Sequence, residues 1–263
     1  MHVSSRCSPT LLALACSSPR ATLTANFFSS FFEPPANPAD DYDPDLSLKP
    51  PALPRSYDEM HELAVDGVLS AVSSSNARVE VEFPPIASVN ARGDGSAKSD
   101  AVIAAANAEF VEKLTARLAA DGRSTTVIGC GASTRRALSG AVSLRDAPRV
   151  VGADDVAVVV APADIEQWEA AAALDCACVV VVNGLINNGL HPHAFYYKAL
   201  TAFSSQTGAC VRCFPGAYAI YDVGGEHISQ LAVPLARQGR RALPDTKEAQ
   251  MWLQSQFGAR QSS

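Results

Sequence analysis

Two periods of hydrophobic and polar residues alternate along the chain and predict its helices and strands. Behind Ser56, apolar residues recur every three or four positions, which predicts a helix that ends near Ser74. Ser56 and Glu59 have the spacing of a helix start, because a hydroxyl and a carboxylate placed so can each bind a free backbone N–H. A second such stripe, from Ile103 to Leu118, predicts a helix that stops at Asp121-Gly122.

Short apolar stretches between these helices have the pattern of strands. RVEVEFPP at 78–85 alternates valines with charged residues, and TTVIG at 125–129 follows the second helix. VAVVV within DDVAVVVAP and CACVVVVN at 176–183 are apolar throughout, which suits strands covered on both faces. Because helical segments at 132–142 and 163–175 lie between them, we expect a three-layer, Rossmann-like α/β fold with a mostly parallel sheet.

The C-terminal third has a different pattern. ACVRCF and AYAIYD flank Pro215-Gly216, and HISQLAVP follows Gly224-Gly225, so antiparallel strands are expected at one edge of the sheet. Pro-Gly suits a turn that splays paired strands, which predicts a wider loop or a bulge there. Asp245 with Glu248 predicts a last helix, on which the apolar residues are Ala249, Trp252, Leu253 and Phe257.

Composition divides the chain into three parts. Residues 1–32 lack Asp and Glu, carry two arginines and are rich in Ser and Thr, which is typical of an organelle presequence. Residues 33–55 contain seven prolines and are expected to be an extended linker. Residues 56–263 then form a single α/β domain. No apolar stretch approaches the length of about 20 residues that a membrane helix needs, so no transmembrane segment is expected.

The overall charge narrows the class of partner. With 48% apolar and 18% charged residues, the chain can bury a sizeable core. Its formal net charge of −6 argues against a protein that binds nucleic acid through the phosphate backbone.

A ligand crevice is the first candidate site. Parallel strands release their binding loops at their carboxyl ends, so Gly129, Gly131 and Asn183 should line one edge, with Arg135 as an anion contact. Thr134 and the acids before the next strand depart from the dinucleotide pattern, which favours a plain glycine turn. Asn183 tolerates positive φ and suits the end of a strand without any binding role.

Cysteines and histidines give weaker candidates. Four thiols, at Cys176, Cys178, Cys210 and Cys213, could hold zinc or form a redox pair, but strand spacing places Cys210 and Cys213 on opposite faces. Buried, inert thiols are favoured. His191 and His193 could bind metal or move protons, whereas a polar loop beside Pro192 favours surface histidines. We therefore predict no catalytic residue, no metal and no cofactor.

The order of several segments resembles a known family. RVEVEFPP, DDVAVVVAP, VVVVNGLINNG, AFYYKAL and RCFPGAYAIYD follow one another as in a plastid and cyanobacterial family of uncharacterised function. That family includes the low-photosystem-II-accumulation type of assembly factor and a domain attached to some plastid adenylate kinases. The resemblance covers about residues 56–257, and Tyr218 stands where many relatives have Trp. It implies a plastid location, in the stroma or peripheral to the thylakoid, and a role in photosystem biogenesis or maintenance.

Three functional hypotheses follow. The first is a noncatalytic plastid factor that binds a client protein, such as a photosystem subunit or a peripheral thylakoid component. Aromatic residues and Arg are enriched in interfaces. The candidate contact residues are Phe195, Tyr196, Tyr197, Arg212, Tyr218 and Tyr221. The second is an enzyme that binds a nucleotide or phosphorylated metabolite in the crevice, and the third is a zinc-dependent structural module.

Overall fold

A nine-stranded sheet organises the described part of the chain. The computed structural model describes residues 47–85, 97–185, 191–202, 205–222 and 224–231, which all belong to one compact unit covering residues 36–263. The presequence predicted at 1–32, most of the predicted linker and the helix expected near 245–257 lie outside the described residues.

The strand order confirms the predicted fold class. In chain order the strands are β1 Arg78–Glu82, β2 Thr125–Gly129, β3 Val142–Ser143, β4 Val156–Val160, β5 Cys178–Val182, β6 His193–Ala202, β7 Ser205–Cys213, β8 Tyr218–Asp222 and β9 His227–Leu231. Their order across the sheet is β3-β2-β4-β5-β1-β6-β7-β8-β9. The strands from β3 to β6 pair in parallel, and β7, β8 and β9 continue antiparallel beyond β6.

Helices cover both faces of the parallel half. They are α1 Tyr57–Ser73, α2 Ala97–Ala120, α3 Ala132–Ala137 and α4 Ile165–Ala172, with a short 3₁₀ turn at Ala147–Arg149. The Ser56 hydroxyl accepts the Glu59 N–H at 3.1 Å, as predicted, while the Glu59 carboxylate accepts the N–H of Arg55. Gly122 ends α2 with a φ of 75°. No helix within the described ranges is both long and apolar enough to span a bilayer.

Three apolar clusters fill the two faces of the sheet. On one face, Val79 and Val81 of β1 pack with α1 and α2, in a cluster that continues to β8. On the other face, β4 and β5 pack against Trp168 of α4. A separate cluster on that second face contains Tyr196, Leu200, Cys210, Tyr218 and Ile220. Strand β1 lies between the strands that carry these last two clusters, and its side chains on the second face are Arg78, Glu80 and Glu82.

Strand β6 is the main element that the hydrophobic pattern did not predict. It pairs in parallel with β1 and antiparallel with β7, so it joins the two halves of the sheet. Its aromatic residues interrupt any clean alternation. Residues 214–217 connect β7 to β8, so the connection is longer than a two-residue turn, as predicted. The peptide bond between Phe214 and Pro215 is cis.

A buried acidic and histidine cluster as the candidate functional site

Strand β1 places two carboxylates in the middle of the sheet. Glu80 and Glu82 point to the face opposite Val79 and Val81, because side chains alternate along a strand. Only 5% of the Glu80 side chain is exposed, against 28% of the Glu82 side chain. A carboxylate buried to this extent requires compensating charges or hydrogen bonds. This pair is therefore the starting point for a candidate site.

A bulge in β6 sets a histidine beside these acids. Glu80 pairs with His193, whereas Val81 pairs with Phe195, so Ala194 is an extra residue in β6. Ala194 and Phe195 both join the cluster under α1 and α2. His193 and Tyr196 consequently lie together on the opposite face, with their ring centroids 4.9 Å apart.

His193 connects the two carboxylates to a tyrosine. Its Nε2 lies 3.4 Å from a carboxylate oxygen of Glu80 and 3.4 Å from one of Glu82. Its Nδ1 lies 2.6 Å from the Tyr218 hydroxyl. Burial raises the pKa of Tyr218 to about 12, so this phenol stays neutral at physiological pH. Burial also raises the pKa of Tyr196.

Arg212 brings a positive charge to the tyrosine side of the cluster. It pairs with Tyr196 in the β6–β7 register, and its guanidinium lies 5.0 Å from the centre of the Tyr218 ring. Its Nε donates to the Gly216 carbonyl at 3.1 Å. The guanidinium acts on Tyr218 in the direction opposite to burial and lowers the pKa of the phenol, although burial has the larger effect. Arg212 is only 4% exposed, so its charge acts in a medium that screens weakly.

The chain that enters β6 is tied to Glu80. The backbone N–H of His191 donates to Glu80 Oε1 at 2.8 Å, and the N–H of Glu80 donates to the Pro192 carbonyl at 2.8 Å. The His191 ring lies 5.7 Å from the Trp168 ring. Glu80 therefore fixes the start of β6 as well as facing His193.

A small cleft opens beside the two carboxylates. Glu80, Val81, Glu82, Trp168, Val181 and Gly184 line it, and it has room for about one water molecule. Trp168 is only 2% exposed, and its indole Nε1 has no hydrogen-bond partner among the described residues. Gly184 makes the close packing possible, because a Cβ there would come within 2.2 Å of the Trp168 ring.

This arrangement suits a shared proton. A histidine between two carboxylates can hold a proton in contact with both. Glu80 and Glu82 were not predicted as site residues. One sequence signal could have identified them: two acids lie on the same face of β1, a strand that the pattern places inside a sheet.

The predicted crevice residues lie at strand ends but are engaged within the chain. Gly129 ends β2, and its carbonyl accepts the Arg135 Nη1 at 3.1 Å. Gly131 precedes the six-residue α3. Asn183 follows β5 with the expected positive φ, 47°, and is buried, with its amide group bonded to the Phe83 N–H and to Asn107. Strand β4 lies between β2 and β5, so Asn183 follows a strand that is not a neighbour of the one that Gly129 ends.

The residues predicted to form a contact surface are mostly in the core. Phe195, Tyr196, Arg212, Tyr218 and Tyr221 are each 4% exposed or less, and Tyr197 is half-buried against the cluster under α1 and α2. A buried side chain cannot contact a partner without rearrangement. These six residues therefore do not form an exposed patch. Phe195 and Tyr221 pack on one face of the sheet, and Tyr196 and Tyr218 on the other.

The histidines correct one prediction, and the cysteines bear out another. His191 and His193 were favoured as surface residues, but they are 5% and 1% exposed, because both lie where the chain enters the central β6. Cys210 and Cys213 do face opposite sides of the sheet, where they contact different clusters. Burial raises the pKa of Cys178 and Cys210 to about 12, which keeps both thiols protonated.

A second group of polar side chains lies between α1 and α2. Asp58, His61 and Glu109 place one ligand atom each within 4.8 Å of one another. The Lys113 ammonium already lies among them, 2.7 Å from Asp58 and 3.3 Å from Glu109, and its Nζ is 3.4 Å from His61 Nδ1. The Lys113 ammonium therefore occupies the position that a metal ion would take.

Comparison with known proteins assigns no role to any of these residues. No family model, no curated protein and no solved structure matches the chain.

Proposed function

We propose that this protein is a noncatalytic plastid factor that binds a client protein and assists the biogenesis or maintenance of photosystem II. The proposal rests on the resemblance carried by the ordered segments between RVEVEFPP and RCFPGAYAIYD. The client is a photosystem subunit or a peripheral thylakoid component. The factor acts in the stroma or at the thylakoid surface.

Two structural observations support a binding role over catalysis on a metabolite. The positions that would hold a phosphorylated ligand already bond within the chain: Arg135 caps the Gly129 carbonyl, and the Asn183 amide bonds Phe83 and Asn107. The cleft beside Glu80 and Glu82 has room for about one water molecule, which is far below the roughly 300 Å³ of a small-molecule site. A factor that binds a protein needs neither a free phosphate-binding position nor a cavity for a small molecule.

A gene disruption in a photosynthetic host tests the role. We expect less photosystem II complex on native gels, with photosystem I complexes unchanged. The full chain should restore the complexes, and a chain without residues 1–32 should not, because the presequence is needed for import. Photosystem II complexes that stay at wild-type levels in the null strain would contradict the proposal.

A ligand screen tests the rival enzyme. Thermal unfolding of the full chain should show no saturable shift with nucleotides or phosphorylated metabolites. Arg135→Ala is the matched variant, because it removes the one cation predicted to contact an anion there. A saturable shift in the wild type that Arg135→Ala abolishes would support the enzyme instead.

A further inference from the structure

We propose that residues 245–257 form an amphipathic helix that covers the second face of the sheet, opposite α1 and α2, over strands β6, β7 and β8. The inference goes beyond the proposed function, because it concerns how the chain closes its own core. The segment follows β9 and lies outside the described residues. The cluster that it covers contains Tyr196, Leu200, Cys210, Tyr218 and Ile220.

The side chains of this cluster are too deeply buried for an open sheet face. Leu200, Cys210 and Ile220 are fully buried, and Tyr196 is only 2% exposed. Neighbouring side chains on one face of a sheet shield each other from the sides, so a second layer above them is needed to exclude water. Another part of the protein must therefore lie over this cluster.

The described elements do not supply that layer. Helices α1 and α2 pack on the first face, and α4 packs over β4 and β5. Within the described ranges, only strand residues belong to the cluster on β6, β7 and β8. The described end of the linker is also on the first face, where Leu53 packs and the Pro51 carbonyl accepts the Tyr221 hydroxyl. The layer therefore comes from residues outside the described ranges.

The segment after β9 has the position and the length to form it. Strand β9 ends at Leu231, beside β8 at the edge of the sheet, and the chain up to Ser263 belongs to the same compact unit. Residues 232–244 can extend over about 40 Å. The predicted helix is about 20 Å long, whereas three strand spacings, from β6 to β9, amount to about 14 Å. The chain can therefore return from β9 across all four strands.

The hydrophobic pattern of the segment fits a face of this kind. Its apolar residues recur at the spacing of one helical face, and they are Ala249, Trp252, Leu253 and Phe257. Gln254 and Ser255 fall on the opposite face. Without an apolar partner, the stripe would leave two large aromatic rings in water. The helix face and the sheet face each provide the layer that the other lacks.

The covered face includes three of the residues predicted to contact a client. Tyr196 and Tyr218 belong to the cluster, and Arg212 pairs with Tyr196 on the same face. A client that used these three residues would have to displace the helix. Client and helix would therefore compete for one face of the sheet.

Thiol accessibility tests whether the segment covers the cluster. Cys210 lies in this cluster, whereas Cys178 lies in the cluster on the first face, away from the proposed helix. Burial raises the pKa of both thiols to about 12, so they form a matched pair. In the folded full chain, iodoacetamide labelling followed by mass spectrometry should find both thiols protected. Rapid labelling of Cys210 in the wild type would overturn the proposal.

Two double variants locate the cover. Trp252→Asp with Leu253→Asp removes the apolar contact, and it should raise the labelling rate of Cys210 by about tenfold or more while Cys178 stays protected. Gln254→Asp with Ser255→Asp adds the same charge on the opposite helix face and should leave both rates unchanged. An unchanged Cys210 rate in the first variant, or an equal increase in the second, would contradict the proposal.

Photocrosslinking distinguishes this arrangement from other occupants, and it decides the matter if the first variant exposes both thiols by unfolding. Benzoylphenylalanine in place of Trp252 should crosslink to peptides from β6, β7 or β8 of the same chain. Crosslinks only to α1 or α2, or none to these strands, would overturn the proposal. Crosslinks between two chains would also overturn it, because a second copy would then be the cover.

Discussion

The carboxyl-end crevice and the acidic cleft differ in how their polar groups are used. In the crevice, Arg135 and Gly129 are near neighbours in sequence, and they bond each other. In the cleft, Glu80 and His193 come from distant parts of the chain and meet in the register of β1 with β6. Because Arg135 and the Gly129 carbonyl bond each other, this local pair leaves few hydrogen-bonding groups for a ligand. The register of β1 with β6 holds the buried Glu80 and His193 side chains together. Loss of either side chain therefore disturbs the sheet.

Removal of Glu80 should have the largest effect on stability. Glu80→Ala deprives His193 of a buried partner and the His191 N–H of its acceptor, and we expect a loss of about 3–5 kcal/mol in the free energy of unfolding. Urea denaturation followed by circular dichroism measures it. Glu109→Ala is the matched control, because that carboxylate is 63% exposed and its loss should cost less than about 1 kcal/mol. Equal losses in both variants would remove the distinction between cleft and surface acids.

Glycines at the two regions should respond differently to a methyl group. A Cβ at Gly184 would come within 2.2 Å of the buried Trp168 ring, so Gly184→Ala should destabilise the fold by about 1–3 kcal/mol. At Gly131 the nearest atom would be the Thr134 hydroxyl at 3.5 Å, an ordinary contact. Gly131→Ala should therefore cost less than about 1 kcal/mol. Thermal and urea unfolding of both variants measure these losses and show whether the cleft is packed more closely than the crevice.

Alkaline pH should test the interior on both faces of the sheet. Burial raises the pKa of Cys178 and of Cys210 from 9.0 to about 12, so the folded state holds these protons more tightly than the unfolded state. That contribution is complete below pH 9 and is lost as the pH rises toward 12. We expect about 1 kcal/mol of lost stability per thiol at pH 10. Urea midpoints at pH 8 and pH 10 measure it, and a Cys178→Ala, Cys210→Ala double variant should show a smaller decrease.

The crevice should show the smallest effect. Arg135→Ala removes one bond to the Gly129 carbonyl from an exposed side chain, and we expect a change of less than about 1 kcal/mol in the free energy of unfolding. A loss above about 2 kcal/mol, in the same denaturation assay, would mean that the crevice is a structural centre comparable to the cleft.

Local patterns predicted most of the fold. Valine-rich β4 and β5 are buried on both faces, and Ser56 caps α1, because each of these features depends on neighbours in sequence. Strand β6 was missed because aromatic side chains, Phe195, Tyr196 and Tyr197, face both sides of it and hide the period of two on which strand prediction depends.

The candidate site was harder to predict for a related reason. Glu80 and Glu82 alternate with valines, which is also the pattern of a half-exposed strand. Only the position of β1 between β5 and β6 makes both of its faces internal. His193 looks like a loop residue beside Pro192 until β6 is recognised. The aromatic residues chosen for a contact surface show the same limit, because sequence could not tell an interface ring from a core ring.

The bulge at Ala194 sets the face of the sheet to which each later residue of β6 points. If Ala194 instead paired with Val81 as a regular strand residue, every later position of β6 would swap between the helix-covered side and the side that carries His193, and Tyr196 would exchange places with Tyr197. The bulge at Ala194 thus decides which ring faces the acids.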